Sequence, residues 1–189
     1  MTEFAPFPKI PRLYRDVVVT EKLDGTNASI YFDESGPDSL LVGSRTRWIT
    51  PENDNYGFAA WAGPRRESLF ALLGHGHHFG EWYGVGINRG YDLHERRLAL
   101  FNTRRWAGVR CEIAAKGLVD LPNVECAPIL YEGAFDQYLI AEVLTKLHVG
   151  GSVAVPGYPN PEGIVVYHKA ASQLFKFTLD GDAAKGERS

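Results

Sequence analysis

Apolar and polar residues change their spacing along the chain, and each change marks an element. The β-branched run Val17-Val18-Val19-Thr20 and the segment Ala28-Ser29-Ile30-Tyr31-Phe32 both read as strands. Between them, Asp24-Gly25 is a pair that lets a chain reverse. Upstream, Pro6, Pro8 and Pro11 stand among aromatics, which predicts an irregular packed lead-in rather than a helix. Gly36-Pro37-Asp38 reads as a turn, residues 40–45 as a third short strand, and residues 51–57 as a loop. Pro64, an apolar stripe and Gly74 predict a helix over 64–74. Residues 78–84 alternate so that Phe79, Glu81 and Tyr83 share one face of a strand. Further strands are expected over 97–104, 124–131, 162–168 and 173–178, with a second long helix over 135–147. Residues 150–161 form a glycine- and proline-rich loop, and the small, polar tail after Asp180 reads as frayed. Strands adjacent in sequence, with few βαβ alternations, predict an α+β fold with antiparallel sheets. The expected organisation is a single domain over 1–180, a disordered tail over 181–189 and no additional C-terminal or OB domain.

Composition narrows the function classes only a little. With 44% hydrophobic and 23% charged residues, the chain can bury a real core. No apolar run approaches the roughly 20 residues that span a bilayer, and the N-terminus has no signal-peptide pattern. No membrane partner is expected. Cys111 and Cys126 lack the paired spacing of a zinc site and read as reduced thiols, which points to the cytoplasm. A net charge of −3 argues against broad electrostatic binding of nucleic acid but is compatible with a local basic cleft.

The informative residues are charges inside otherwise apolar strands. Lys22 sits where a strand ends and a tight turn begins, so its amine is held by a scaffold. Lysine attacks electrophiles only as the neutral amine, and its free pKa is about 10.4, so burial or neighbouring cations must activate it. Glu81 lies among aromatics, Glu162 opens a β-branched strand, and Lys176 alternates with Phe175 and Phe177. Such charges are costly on half-buried strands unless they are paired or solvated in a cleft. Together with Arg45 they make two carboxylates, two lysines and an arginine, a set suited to a polyphosphate with a divalent metal.

In this order the segments resemble the covalent nucleotidyltransferases: RNA ligases, DNA ligases and mRNA capping enzymes. Lys22-Leu23-Asp24-Gly25 resembles their nucleophile motif, and Thr26-Asn27 after it is similar to the RNA ligase version. Ser44-Arg45, Phe79-Gly80-Glu81 and the segment from Leu98 to Phe101 resemble the next three motifs. Glu162-Gly163-Ile164-Val165-Val166 and Leu174-Phe175-Lys176 resemble the last two, so the likeness runs from about residue 17 to residue 178. It implies a nucleotidyltransferase fold around a nucleotide cleft and an ATP-dependent RNA ligase or stand-alone adenylyltransferase domain. Lys22 would carry AMP as a phosphoramidate, which then passes to an RNA 5′-phosphate before a 3′-hydroxyl seals the strand.

The resemblance also assigns roles. Glu21 would meet the adenine edge, Phe101 would stack on the base, Arg45 would contact the sugar or phosphates, and Glu81 the ribose. Glu162, with Glu81, would hold Mg²⁺ or Mn²⁺, and Lys176 would hold the α-phosphate and help keep Lys22 neutral. Asp24, Gly25 and Asn27 would shape the turn and touch the nucleotide. The last motif departs from the Lys-x-Lys of many RNA ligases, since Thr178 takes the second place, and Lys169 is a candidate substitute. A protein partner or dimer is the expected source of additional grip on RNA. The alternatives are a GTP-dependent capping-type guanylyltransferase and a non-catalytic nucleotide- or RNA-binding module.

Other signals weigh less. His75-Gly76-His77-His78 reads as a solvated loop rather than a metal site, because no cysteine or carboxylate pattern completes it. Residues 84–90 have the wrong spacing for a dinucleotide loop and read as a flexible connection. Arg65-Arg66, Arg96-Arg97 and Arg104-Arg105 read as solvated faces, with RNA backbone contact as the sharper alternative. Trp48, Trp61, Trp82 and Trp106 are assigned to core or sheet packing.

Overall fold

The computed structural model describes residues 3–7 and 9–180. Pro8 and the tail expected to be disordered over 181–189 lie outside the described residues. The chain forms β1 (Asp16–Lys22), β2 (Thr26–Phe32), β3 (Leu41–Gly43), β4 (Trp48–Ile49), α1 (Phe58–Ala62) and α2 (Arg66–Leu73). It continues through β5 (Gly76–Gly84), β6 (Arg96–Leu100), α3 (Thr103–Trp106), α4 (Val109–Lys116) and β7 (Val124–Cys126). Then follow β8 (Ile129–Ala134), α5 (Gln137–Gly150), β9 (Gly163–His168) and β10 (Gln173–Thr178). The strands make a four-stranded sheet of order β10-β9-β1-β8 and a six-stranded sheet of order β4-β3-β2-β5-β6-β7. The expected α+β class with antiparallel sheets holds, with β6 and β7 as a parallel pair.

The turn at Asp24-Gly25 is not a hairpin. β1 belongs to the smaller sheet and β2 to the larger, so the turn carries the chain from one sheet to the other. A second crossing divides the strand expected over 124–131. β7 pairs with β6, β8 pairs with β1, and Ala127-Pro128 lies between them. Pro128 has no amide to offer a ladder, but its carbonyl accepts from the Glu21 amide at 3.0 Å.

Each sheet has one face covered by helices. In the larger sheet, alternate residues Ala28, Ile30 and Phe32, with Trp82, Leu98 and Leu100, pack on Phe58 and Ala62 of α1 and Leu69 and Leu73 of α2. Phe32, Phe58 and Leu69 have no exposed surface, and burying such a side chain contributes about 1.5–3 kcal/mol. In the smaller sheet, Val17, Val19, Ile164 and Val166 pack on Ile140 and Leu147 of α5. Alternation therefore turns Val18, Thr20 and Lys22 to the face away from α5, and Asn27, Ser29, Glu81 and Ala99 to the uncovered face of the larger sheet.

Local chemistry sets the element ends. The helix predicted over 64–74 begins as a 3-10 turn (Gly63–Arg65) with Pro64 inside it, and Gly74 closes α2 at φ 70°. α1 arises just after the expected loop, where no element is predicted, and is entered through Gly57 at φ 71°. The strand predicted over 97–104 stops at Leu100 because the Asn102 side chain accepts from the Arg105 amide and starts α3. α5 is capped by Asp136, whose carboxylate accepts from the Tyr138 amide at 2.7 Å and the Leu139 amide at 3.1 Å. Asp136→Ala should cost about 1 kcal/mol of stability and Asp136→Asn only a few tenths, read by urea denaturation at pH 7. Equal loss in both variants would refute the cap.

Candidate active site

Lys22 is the last residue of β1, and its register partner on β9 is Gly163. The preceding residue, Glu162, is only 3% exposed and accepts a hydrogen bond from Lys22 Nζ at 2.6 Å. Gly163 is required here: it sits at φ 153°, and a Cβ would stand 2.0 Å from the Phe177 carbonyl oxygen. Beyond Lys22 the turn is held by groups from the larger sheet. The Asp24 amide donates to the Tyr91 hydroxyl at 2.8 Å, and the Gly25 amide donates to Glu81 Oε1 at 3.2 Å. A Cβ on Gly25 would stand 2.4 Å from the Trp82 carbonyl oxygen, so only glycine lets the turn lie this close to β5. Asn27 Nδ2 donates to Glu81 Oε2 at 3.5 Å.

Lys22, Glu81, Glu162 and Asp24 thus share one electrostatic neighbourhood. Burial pushes the Glu81 carboxyl up to about 7; Lys22 pulls it down, while Glu162 and Asp24 raise it further. Two carboxylates, Glu81 on β5 and Glu162 just before β9, form a hard oxygen donor set. No cluster of three or more His, Cys, Asp or Glu side chains suited to a metal occurs among the described residues. Glu81 and Glu162 offer the carboxylate oxygens that would hold a divalent ion such as Mg²⁺ or Mn²⁺.

The other expected site residues are placed unevenly. Lys176 pairs across β9 with Val165, which in turn faces Thr20, so Lys176 lies on the Lys22 face and is exposed. Thr178 shares the Gly163 row with Lys22, at the far side of a residue with no side chain. The substitute considered for a second basic group, Lys169, is not there. It follows the opposite end of β9, and its ammonium donates to Glu132 at 2.7 Å. Phe175 and Phe177 lie on the α5 face but at its uncovered edge, and both are exposed. Arg45 is exposed in the β3–β4 turn, and Phe101 follows β6 with its amide donating to the Phe79 carbonyl at 2.9 Å. Glu21 points away from Lys22, as strand alternation requires. Its carboxylate accepts from the Ser152 hydroxyl at 2.6 Å and the Val153 and Ala154 amides at 2.8 and 2.9 Å. A contact from this carboxylate to adenine would have to displace those bonds.

Residues 84–90 are not a flexible connection. Asn88 Nδ2 donates to Asp24 Oδ1 at 2.9 Å and to the Gly25 carbonyl at 2.7 Å, and Arg89 Nε donates to Asp24 Oδ2 at 3.1 Å. With the Tyr91 hydroxyl, three loop residues clamp the Asp24-Gly25 turn. Their conformations are special: Asn88 and Tyr91 have φ 43° and 57°, alongside Gly84, Gly86 and Gly90 in the positive-φ region. The glycine spacing in a polar segment was the one available signal. Behind the turn, the Tyr83 hydroxyl donates to Glu125, whose carboxyl burial pushes up.

Two surface readings also change. β5 already includes His77 and His78, so they are not a loop. His78 is buried against Trp106, and burial lowers its pKa. Of the paired arginines, Arg66 and Arg97 are tied to Asp38 and Glu95, and Arg65, Arg96 and Arg105 to backbone carbonyls; Arg104 is exposed.

Two largely antiparallel sheets, with a lysine at the sheet crossing and the Glu162 and Glu81 carboxylates in its electrostatic neighbourhood, define a nucleotidyltransferase-type fold. The RNA ligase family model matches residues 15–179, and the chain belongs to the RNA ligase family. Among solved structures it is similar to the Naegleria gruberi RNA ligase with ATP and Mn, at TM-score 0.62 and 19% identity over 88% of this chain and 49% of that one. The same ligase with PPi matches at TM-score 0.61 and 21% identity, over 91% of this chain and 52% of the other. With AMP and Mn the values are 0.58 and 20%, over 89% and 51%. The chain therefore spans about half the length of these structures. No match is found among curated proteins.

The Glu81 environment gives a signed pH dependence. Unfolded glutamate titrates near 4.5 and folded Glu81 near 7, so the folded chain holds this proton more tightly. Ionising Glu81 therefore costs stability as pH rises from 4.5 to 7. Without nucleotide or metal, Glu81→Gln should melt higher than wild type at pH 8, with the gain shrinking as pH falls through 7 and vanishing by about pH 4. Melting curves whose separation does not change with pH would contradict the assignment.

Proposed function

We propose that this chain is the nucleotidyltransferase part of an ATP-dependent RNA ligase. The observation that carries the reading is the 2.6 Å contact of Lys22 Nζ with the buried Glu162, beside Glu81. Lys22 attacks the α-phosphorus of ATP; the N–P bond forms and the bond to the β-phosphate oxygen breaks, releasing pyrophosphate. The amine must lose a proton to act as nucleophile, and its present hydrogen-bond acceptor is the Glu162 carboxylate at 2.6 Å. Glu81 and Glu162 would hold the divalent ion, which neutralises phosphate charge when bound. Lys176, on the same sheet face as Lys22, balances charge on the α-phosphate. Glu81 and Asn27 serve the ribose, Arg45 the sugar or phosphates, and Phe101 the adenine ring. Glu21 acts through the loop at 152–154. The AMP then passes to an RNA 5′-phosphate, and a 3′-hydroxyl displaces it.

Thr178, opposite Lys22 across Gly163, favours one rival, a module that binds nucleotide without reacting. Incubation with Mg²⁺ and ATP, followed by intact mass measurement, separates the two readings. The proposed function requires a gain of one AMP mapped to Lys22, absent in Lys22→Ala. Pre-bound AMP is first removed with pyrophosphate. Labelling by GTP instead of ATP would point to a capping-type enzyme, and no adduct with either nucleotide to the binding module.

The clamp from residues 88–91 should matter to rate. Asn88→Ala and Arg89→Ala each remove a side chain that fixes Asp24, and misplacement by about 1 Å costs on the order of a hundredfold. Single-turnover AMP attachment should slow at least tenfold in each, with melting temperature changed by only a few degrees. Wild-type rates in both would remove the clamp from the mechanism.

A further inference from the structure

The uncovered face of the larger sheet does not end at Glu81. Its strands are registered, so the face can be read in rows. The row of Asn27, Glu81 and Ala99 carries the candidate site. About 7 Å along the strands, the next row runs Trp48, Gly43, Ser29 and Phe79 across β4, β3, β2 and β5. Phe101, assigned above to the adenine ring, borders it, since its amide donates to the Phe79 carbonyl at 2.9 Å. A third row pairs Tyr31 with His77.

The second and third rows form one aromatic surface. Trp48 and His77 are stacked with centroids 5.6 Å apart and planes 29° apart, and His77 and Phe79 lie at 4.1 Å and 32°. Tyr31 meets His77 edge-on at 5.8 Å. The small residues make the room. A Cβ on Gly43 would stand 3.1 Å from the Trp48 ring and 2.6 Å from Ser29 Oγ, so the indole lies on the sheet only because position 43 is glycine. Trp48, Phe79 and Phe101 nevertheless remain 50%, 54% and 44% exposed. A surface built for stability would bury three such rings.

We propose that Trp48, His77 and Phe79 form a stacking platform for unpaired bases of an RNA strand whose end is at the Lys22 site. The inference rests on the ligase reading above. Three features select RNA over a protein partner. The platform is continuous with the candidate nucleotide site along β2 and β5. Trp48 and His77 already stack on one another, an arrangement that extends naturally to bases. Arg45 and Arg47 stand exposed in the turn beside Trp48, and the Arg47 guanidinium donates to the Asn53 and Asp54 carbonyls, bonds that leave its positive charge available to phosphates.

The test uses the full chain and a 5′-phosphorylated RNA dodecamer with a 3′ fluorophore, read by anisotropy. Trp48→Ala should bind roughly tenfold more weakly, while Trp48→Phe keeps most of the affinity because a ring remains. An abasic phosphodiester of equal length should bind wild type and Trp48→Ala alike, since backbone contacts do not use the ring. Direct quenching of wild-type tryptophan fluorescence by the RNA should shrink in Trp48→Phe, a readout that needs no destabilised variant. Equal RNA affinity in wild type and Trp48→Ala would overturn the platform, as would no RNA binding by wild type. A concentration-dependent dimer dispersed by Trp48→Ala, with RNA affinity unchanged, would assign the surface to a second copy instead. AMP attachment to Lys22, measured by mass on the same preparations, keeps the two readings apart. Adduct without Trp48-dependent RNA binding defeats the platform alone, and Trp48-dependent binding without adduct defeats the ligase chemistry alone.

Discussion

The Lys22–Glu162 ion pair is the interaction on which the arrangement depends. Glu162 is almost fully buried and Lys22 about three-quarters so, which means neither charge is comfortable without the other. A buried pair contributes little net stability over an apolar replacement, but removing one partner from such a pair typically costs about 3–5 kcal/mol. The pair also fixes geometry. It draws the end of β1 onto the start of β9, where Gly163 lets β10 approach within contact of the backbone. Glu81 completes the set at a cost to the folded state, since its ionised form is disfavoured by burial and by Glu162. Three ionisable groups are thus held where phosphate and a divalent ion would improve their electrostatics, as expected of a site organised for a ligand rather than for stability.

Because β1 and β2 lie in different sheets, the turn after Lys22 has no ladder of its own. A hairpin would satisfy its backbone groups internally; here the Tyr91 hydroxyl, the Glu81 carboxylate and the Asn88 amide satisfy them from outside. The loop that supplies Asn88 and Tyr91 is itself unusual backbone, with several residues at positive φ. Strain of this kind persists only where surrounding contacts over-determine it. Arg89 adds to that constraint by reaching Asp24, Asp180 and the Asn160 carbonyl together, which ties the turn to the segments on either side of the smaller sheet's last strands.

Strands with strong period-two patterns were legible from sequence, and β1, β2, β9 and β10 fall close to the residues expected. Their sheet membership was not, because alternation reports which residues share a face but not which strand lies alongside. That is why 124–131 read as one strand: its apolar pattern runs through Ala127-Pro128, where the chain changes sheets. The site followed the same rule. Lys22, Glu81 and Glu162 stood out as charges within apolar strands, and the structure brings them together. Asn88, Arg89 and Tyr91 did not, since a loop has no periodicity and their value lies in contacts some sixty-odd residues distant in sequence. Glu21 shows the limit of motif reading: adjacent to Lys22 in sequence, it faces the opposite side of the strand and secures the loop at 152–154.

The two sheets divide labour by face. The helix-covered faces hold most of the fully buried aliphatic and aromatic side chains, with a smaller cluster of Leu23, Tyr83, Tyr91 and Ala99 behind the Lys22 turn, and the cohesion they supply can support polar and exposed groups elsewhere. The uncovered faces collect what a stability-driven sequence would exclude: a half-buried glutamate with a raised pKa, a lysine at a strand end, and aromatic rings open to water. Period-two alternation makes this separation possible, because the same strand that anchors Trp82 in the core presents Glu81 and Phe79 on the other side. The positions of Phe79 and Glu81 are consequently coupled. Any shift in the register of β5 that moved one would move both, and would expose Trp82 as well. Burial of Trp82 against Phe58 and Trp61, with its indole donating to the Tyr56 carbonyl, therefore sets the position of the functional face from behind.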